Sequence, residues 1–135
     1  MDFNIDELIE KAFAARINAY AFYSKFKVGC AVLLKNGKYI LGFNIENSSY
    51  SLSMCAERVA LFKLISEGYT KADIKAIGVI ADSKNPISPC GACRQVFLEF
   101  LDLDTPIILS NLKREKKVTN LSELYPYPFD LNEVK

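Results

Sequence analysis

The chain has 135 residues, of which 50% are hydrophobic and 24% charged, and its 17 basic and 16 acidic side chains leave a net charge of +1. This composition is ordinary for a globular protein with a proper core, and we expect residues 1–135 to form one domain. The near-neutral charge argues against a dedicated nucleic-acid binder. No apolar run approaches the roughly 18 residues of a membrane span. We interpret the basic cluster KREKK (113–117) as a solvated hairpin end.

The N-terminal segment is acidic at its start and amphipathic, which differs from a signal peptide with a basic start and an apolar centre. We therefore expect a soluble, cytoplasmic protein. In that setting its four cysteines are better explained by metal binding or catalysis than by disulfides.

Hydrophobic periodicity and turn residues divide the chain into helices and strands. Asn4 is a candidate cap for the first helix, Asn36-Gly37 between two apolar runs predicts a hairpin, and Gly68 is a typical helix C′ residue. The predicted elements are a helix from 5 to about 20, strands 27–34 and 39–45, a helix at 54–68, a strand at 74–82, a helix at 90–101, and strands 105–111 and 116–121.

This order predicts an α/β fold with a central sheet covered by helices. The segment between the last two strands is too short for the crossover of a parallel pair, so these strands should pair antiparallel. The tail after them has room for one more turn of helix.

The cysteine pattern predicts a metal site. Cys90 and Cys93 form a C-x2-C pair in the first turn of one helix, and Cys55 opens another helix. Helix N-termini lower a thiol pKa and so favour the thiolate that zinc requires. The chain contains no histidine. Three cysteine ligands would leave the fourth zinc position open, as in catalytic sites.

Two alternatives bear on this site. Cys30 could be a fourth ligand and close the site into a structural one, although its place in an apolar strand is typical of a small buried hydrophobe. Glu57 could touch a water on the metal, or it could merely complement the helix dipole in the first turn.

Taken together, CAE followed by PCGACRQ resembles the signature of the zinc-dependent nucleobase deaminases in its three-cysteine form. The segments YSKFKVGCAVLL, GFNIENSSYS, CAERVAL, PCGACRQV and ELYPYPF resemble the small homotetrameric cytidine deaminases over almost the whole chain. This resemblance implies a three-layer fold with a mixed five-stranded sheet.

The resemblance also implies roles for particular residues. Zinc, one ion per subunit, would be held by Cys55, Cys90 and Cys93, with Glu57 as the catalytic acid and base. Substrate contacts would come from Phe26, Asn44, Glu46 and the backbone near Ala56 and Ser88. Ser48, Tyr50 and Phe129 would complete the pocket of neighbouring subunits. Arg58 would compensate the thiolate charge, and Arg94 would either assist it or form a structural ion pair.

The implied reaction is hydrolysis of cytidine and 2′-deoxycytidine to the uridines and ammonia, as in pyrimidine salvage. Cys30 and Ser48, which stand where alanine is common in the family, and Met54 depart from its usual pattern. The alternatives are deamination of another substrate such as blasticidin S, a non-catalytic zinc-stapled module, and nucleic-acid editing. Editing is disfavoured because the chain is nearly neutral and because the editing relatives place a helix between the last two strands, where this chain has no room for one.

Overall fold

The computed structural model describes residues 1–134 and forms an α/β fold. In chain order its helices and strands are α1 (Ile5–Arg16), β1 (Val28–Leu34), β2 (Tyr39–Phe43), α2 (Ala56–Ser66), β3 (Ile74–Ala81), α3 (Gly91–Phe100), β4 (Ile107–Asn111), β5 (Lys116–Thr119) and α4 (Leu121–Leu124). Single 3-10 turns occupy Tyr50–Leu52, Lys71–Asp73 and Leu131–Glu133. In the part of the chain that is described, no helix is both long enough and apolar enough to cross a membrane.

The first helix is shorter than its periodicity predicts. The Asn4 side chain caps it by accepting a hydrogen bond from the Glu7 amide at 3.0 Å, as expected. The helix ends at Arg16 instead of near Tyr20. The Tyr20 amide donates to the Asn44 carbonyl at 2.9 Å, and the Tyr20 carbonyl accepts from the Glu46 amide at 2.9 Å. These long-range bonds take the backbone of Tyr20 out of the helix.

The five strands form one mixed sheet in the order β2-β1-β3-β4-β5, which confirms the predicted sheet. The hairpin between β1 and β2 turns at Gly37, whose φ of +89° suits glycine. β3 and β4 are parallel and are connected through α3, while the other neighbouring pairs are antiparallel. The short link after β4 accordingly returns the chain antiparallel in β5.

Helices cover both faces of the sheet and produce three layers. On one face, Leu8, Ile9 and Ala12 of α1 pack with Ala31 and Ile80 of the sheet. On the other face, α2 and α3 pack together over the sheet. The buried residues of these two helices form one hydrophobic cluster with residues of the sheet; the cluster includes Ala60, Leu61, Leu64 and Phe97 of the helices and Val32, Val79, Ile107 and Leu109 of the strands. This second layer is the one whose helix N-termini carry the predicted metal ligands.

Because β2 and α2 pack closely at Gly42, adding a single methyl group there should destabilise the fold. A Cβ at Gly42 would lie 2.5 Å from both the Ala56 carbonyl oxygen and the Ala60 amide nitrogen. Gly42→Ala must therefore push the start of α2 off the sheet, and we expect it to lower the free energy of unfolding by about 3 kcal/mol or more. Denaturant unfolding measures this loss.

Gly91→Ala is the matched control, because a Cβ there meets no atom within 4 Å. Its unfolding free energy should change by no more than about 1 kcal/mol. Equal losses in the two variants would contradict the close approach of α2 to β2.

The basic cluster 113–117 lies at the hairpin between β4 and β5, but it is not simply solvated. Arg114 contacts Glu10 of α1 with 2.6 Å between Nε and Oε2, and its guanidinium lies 4.4 Å from the centre of the Phe13 ring. Lys116 pairs with Asp6 at 3.1 Å. These contacts dock the hairpin on α1, although exposed ion pairs of this kind stabilise a fold only slightly.

Candidate active site

Two helix N-termini bring three cysteines together. Cys55 and Cys90 are the N-cap residues of α2 and α3, and Cys93 lies in the first turn of α3. The three sulfurs lie within 4.8 Å of one another, and the Sγ atoms of Cys55 and Cys90 are 3.8 Å apart. The Cys93 amide donates to the Cys90 sulfur at 3.4 Å. The predicted convergence of these three residues is confirmed.

The electrostatics of the cluster suit a zinc ion. Hydrogen bonds from Cys93 and Arg58 lower the pKa of Cys55 to about 5, whereas the hydrogen bond to Cys55 and burial raise the pKa of Cys93. Arg58 Nη2 donates to the Cys55 sulfur at 3.3 Å. Arg58 Nε is also buried and has no hydrogen-bond partner within residues 1–134. Three thiols around one point beside a half-buried guanidinium form a donor set that fits zinc.

Cys30 does not belong to this cluster. It lies in the middle of β1, fully buried, and burial raises the pKa of its thiol well above the ordinary value. Among the described residues the metal-binding group contains only the other three cysteines. The interpretation of Cys30 as a buried hydrophobe is therefore confirmed, and the closed four-cysteine alternative is not supported.

Glu57 is buried beside the cysteines. Its side chain is only 4% exposed, so it is not a solvated carboxylate that merely complements a helix dipole. Burial raises the pKa of Glu57 to about 7, and the nearby Cys55 acts in the same direction. A buried carboxyl group at a helix N-terminus with a perturbed pKa is typical of a functional site.

A cavity of about 360 Å³ opens over this group, a size suited to a small organic ligand. Its walls include eight residues predicted for the metal, catalysis or substrate: Phe26, Asn44, Glu46, Cys55, Ala56, Glu57, Ser88 and Cys90. Five further residues line it that were given no role from the sequence: Ser24, Val28, Ser53, Met54 and Ile87.

Asn44 and Glu46 hold the segment that carries Phe26. Asn44 Oδ1 accepts from the Val28 amide at 2.9 Å, and Asn44 Nδ2 donates to the Phe26 carbonyl at 2.8 Å. The Ser24 hydroxyl donates to Glu46 Oε2. Only the place of Ser24 in the quoted YSKF segment, two residues before Phe26, could have pointed to it.

Ser48, Tyr50 and Phe129 are not in the cavity wall. The side chains of Tyr50 and Phe129 are 64% and 61% exposed, and Tyr50 packs edge-on against Tyr23. The backbone of Phe129 is nevertheless held in place: its carbonyl accepts from Gln95 Nε2 at 2.9 Å, and its amide donates to the Tyr125 hydroxyl at 3.2 Å.

Among residues 1–134, Arg94 makes neither of the contacts expected for it. Instead of donating to a thiol or a carboxylate, its guanidinium donates to the Pro89 carbonyl at 2.9 Å, the Ser88 hydroxyl at 2.7 Å and the Leu124 carbonyl. Arg94 therefore ties the loop before α3 to the C-terminal segment.

Comparison with known proteins agrees with this geometry. Residues 4–108 match the family described as the cytidine and deoxycytidylate deaminase zinc-binding region. The chain is similar to the cytidine deaminase of Halalkalibacterium halodurans, with 50% identity over 93% of this chain and 96% of that protein. It is also similar to that of Sporosarcina psychrophila, with 46% identity over 93% and 91%.

The fold is also similar to that of solved structures. The crystal structure of cytidine deaminase from Burkholderia pseudomallei superposes with a TM-score of 0.91 at 44% identity, covering 94% of this chain and 100% of that one. The cytidine deaminase of Mycobacterium tuberculosis superposes with a TM-score of 0.80 at 33% identity, covering 96% and 100%.

Proposed function

The chain belongs to the cytidine and deoxycytidylate deaminase family, and from this premise we propose that it hydrolyses cytidine and 2′-deoxycytidine to uridine and 2′-deoxyuridine with release of ammonia. One observation carries the proposal: three cysteine sulfurs within 4.8 Å lie beside a buried carboxyl group, that of Glu57, which lines a cavity together with Asn44 and Glu46. A cytoplasmic place in pyrimidine salvage is part of the proposal.

Cys55, Cys90 and Cys93 would hold one zinc ion through their sulfur atoms. Zinc bound there supplies a Lewis acid that makes water acidic enough to act as a nucleophile near neutral pH. Arg58 lies against these thiols to offset the negative charge of three thiolates, and the N-termini of α2 and α3 contribute in the same direction.

Glu57 moves the protons. It takes a proton from the attacking water and delivers it to N3 of the pyrimidine, and it then carries the second proton to the leaving amine. The C4–O bond forms as N3 is protonated. The C4–N bond breaks in the second step, as the C4–O bond becomes the uracil carbonyl and ammonia leaves. A buried carboxylate can serve both steps because it is shielded from exchange with bulk solvent.

The other cavity residues would orient the nucleoside. The Phe26 ring packs against the base or sugar, while Asn44 and Glu46 hydrogen-bond the sugar hydroxyls. Backbone carbonyls near Ala56 and Ser88 accept hydrogen bonds from the 4-amino group. All five residues line the one cavity, which supports this assignment.

The direct test uses the purified, zinc-loaded protein with cytidine, 2′-deoxycytidine and blasticidin S in parallel. We expect each nucleoside to give uridine or 2′-deoxyuridine and one equivalent of ammonia. Chromatography measures the nucleoside product, and an ammonia assay measures the ammonia. If only blasticidin S is deaminated, the nucleosides are not the substrates and blasticidin S takes their place. If none of the three is deaminated, the three-cysteine cluster is a structural metal site.

The oligomer is part of the proposed active site. Tyr50 and Phe129 expose large rings and do not line the cavity of their own chain, and aromatic residues are enriched at protein interfaces relative to the rest of the surface. A homotetramer in which Ser48, Tyr50 and Phe129 reach a neighbour's cavity accounts for this exposure. Light scattering should then give four times the mass of one chain.

Mixed oligomers test whether Phe129 acts on a neighbour. Phe129→Ala should lower kcat/KM on cytidine by up to about tenfold, the value of one aromatic contact. Glu57→Gln should be inactive. Mixing and reassembling the two variants should restore activity above that of Phe129→Ala alone, because Glu57→Gln chains still supply Phe129. Mixed samples no more active than the two separate variants would contradict the arrangement.

A further inference from the structure

The turn from Tyr23 to Phe26 is hydrogen-bonded to one carboxylate, that of Glu46, in the cavity wall. Glu46 Oε1 accepts from the amides of Tyr23 and Ser24, each at 3.0 Å. Glu46 Oε2 accepts from the Ser24 hydroxyl. Ser24, Phe26 and Glu46 all line the cavity that contains the cysteine cluster.

Among residues 1–134, these bonds leave the carboxylate with one free acceptor position. An ionised carboxylate only accepts hydrogen bonds and offers about two positions on each oxygen. The two backbone amides occupy both positions on Oε1, and Ser24 occupies one on Oε2. The acceptor position left for a sugar hydroxyl is therefore on Oε2, the oxygen that the Ser24 hydroxyl holds.

The Ser24 hydroxyl is itself fixed in direction. Its oxygen accepts from the Phe26 amide at 3.0 Å, so its single proton is free to point at Glu46. Between them Lys25 adopts a left-handed φ of +60°, a conformation that a residue with a Cβ keeps only when its surroundings hold it there. Lys25 donates its amide to the Ala21 carbonyl at 3.0 Å, and Asn44 holds the Phe26 carbonyl, so the turn has supports besides Ser24.

From this geometry we infer that Ser24 is a positioning residue that orients Oε2 of Glu46 toward a hydroxyl of the nucleoside sugar. The inference rests on the proposed function, because it concerns how the nucleoside is recognised. Ser24 acts through Glu46 and does not touch the reacting atoms. Its contribution should therefore depend on whether the substrate has the sugar hydroxyls.

The test compares one substitution on two substrates. Ser24→Ala should lower kcat/KM on cytidine about tenfold or more, the usual value of a hydrogen bond that orients a charged group. On 2′,3′-dideoxycytidine, which has the same base without the sugar hydroxyls, the loss should stay within about threefold. Ser24→Thr keeps the hydroxyl and should restore the wild-type ratio between the two substrates.

Competitive inhibition supplies the same comparison if the dideoxynucleoside turns over too slowly. Ser24→Ala should weaken inhibition by uridine about tenfold and leave inhibition by 2′,3′-dideoxyuridine nearly unchanged. Ser66→Ala is the matched control, since Ser66 is exposed at the opposite end of α2 from Cys55. Ser66→Ala should change neither the ratio of kcat/KM between cytidine and its dideoxy analogue nor the ratio of the two inhibition constants. Thermal melting checks that all variants fold.

The outcomes separate this inference from the proposed function. Equal losses on both substrates would show that Ser24 only supports the fold of the turn. An unchanged kcat/KM on cytidine would show that the two backbone amides orient Glu46 by themselves. Either result overturns the role of Ser24 and leaves deamination intact. A wild-type protein inactive on cytidine would overturn the proposed function and this inference with it.

Discussion

Glu57→Gln is expected to lower kcat on cytidine by about 10⁴-fold or more while the protein keeps its fold and its zinc. Glutamine preserves the shape of the side chain and one acceptor oxygen, but its amide cannot take up or release a proton as a carboxyl group does. A single positioned proton transfer contributes roughly 10²–10⁴-fold, and Glu57 is assigned more than one transfer in the same reaction. Steady-state kinetics, with zinc content measured on the same sample, checks this expectation.

Glu67→Gln is the matched control for this experiment. Glu67 is exposed and caps the C-terminal end of α2, the helix that carries Glu57 near its start. The same chemical change at Glu67 should leave kcat within about twofold, because a surface charge far from the cavity contributes little. A Glu57→Gln enzyme that retained more than a hundredth of wild-type activity would refute the assignment of the acid and base.

Cys93→Ala is expected to remove zinc and activity together. The residue is fully buried, and its sulfur is one of three that converge on one point. With two thiols left, zinc should fall from one per chain to below about a tenth. When the free zinc concentration is 100 times the dissociation constant, loss of zinc binding lowers the free energy of unfolding by about 2.7 kcal/mol. The melting temperature should then drop by about 10 °C for a chain of this size.

Cys30→Ala separates the open site from a closed one. Cys30 is just as buried as Cys93 but lies outside the cluster. This variant should keep one zinc per chain and cost about 1 kcal/mol of stability for the lost packing. Loss of zinc from Cys30→Ala would mean that four cysteines bind the metal and that no position remains for water.

Local patterns in the sequence were sufficient for most elements. Asn4 caps α1, Gly37 turns the first hairpin and Gly68 follows the end of α2 with a φ of +91°, all as predicted. Each of these features depends on a few consecutive residues, so it can be read from the chain without knowing the fold. The cysteine spacing is local in the same sense, because two of the three ligands open one helix.

Predictions failed where a contact joins distant parts of the chain. The end of α1 was misplaced because Tyr20 pairs with Asn44 and Glu46. Arg94 was misassigned because its acceptors include Leu124, thirty residues further along the chain. Arg114 was taken for a solvated side chain, but it lies against Glu10 and Phe13.

The sequence by itself thus determined the order of helices and strands, the family and the three-cysteine pattern with its glutamate. These depend on short-range chemistry and on motif residues. Only the tertiary structure decided that Cys30 stays out of the cluster, that Glu57 is buried, and that Ser24 is hydrogen-bonded to Glu46 in the cavity wall. The physical reason is that such contacts arise when the sheet and α2 pack together, and their geometry is set by the packing of many side chains rather than by spacing along the chain.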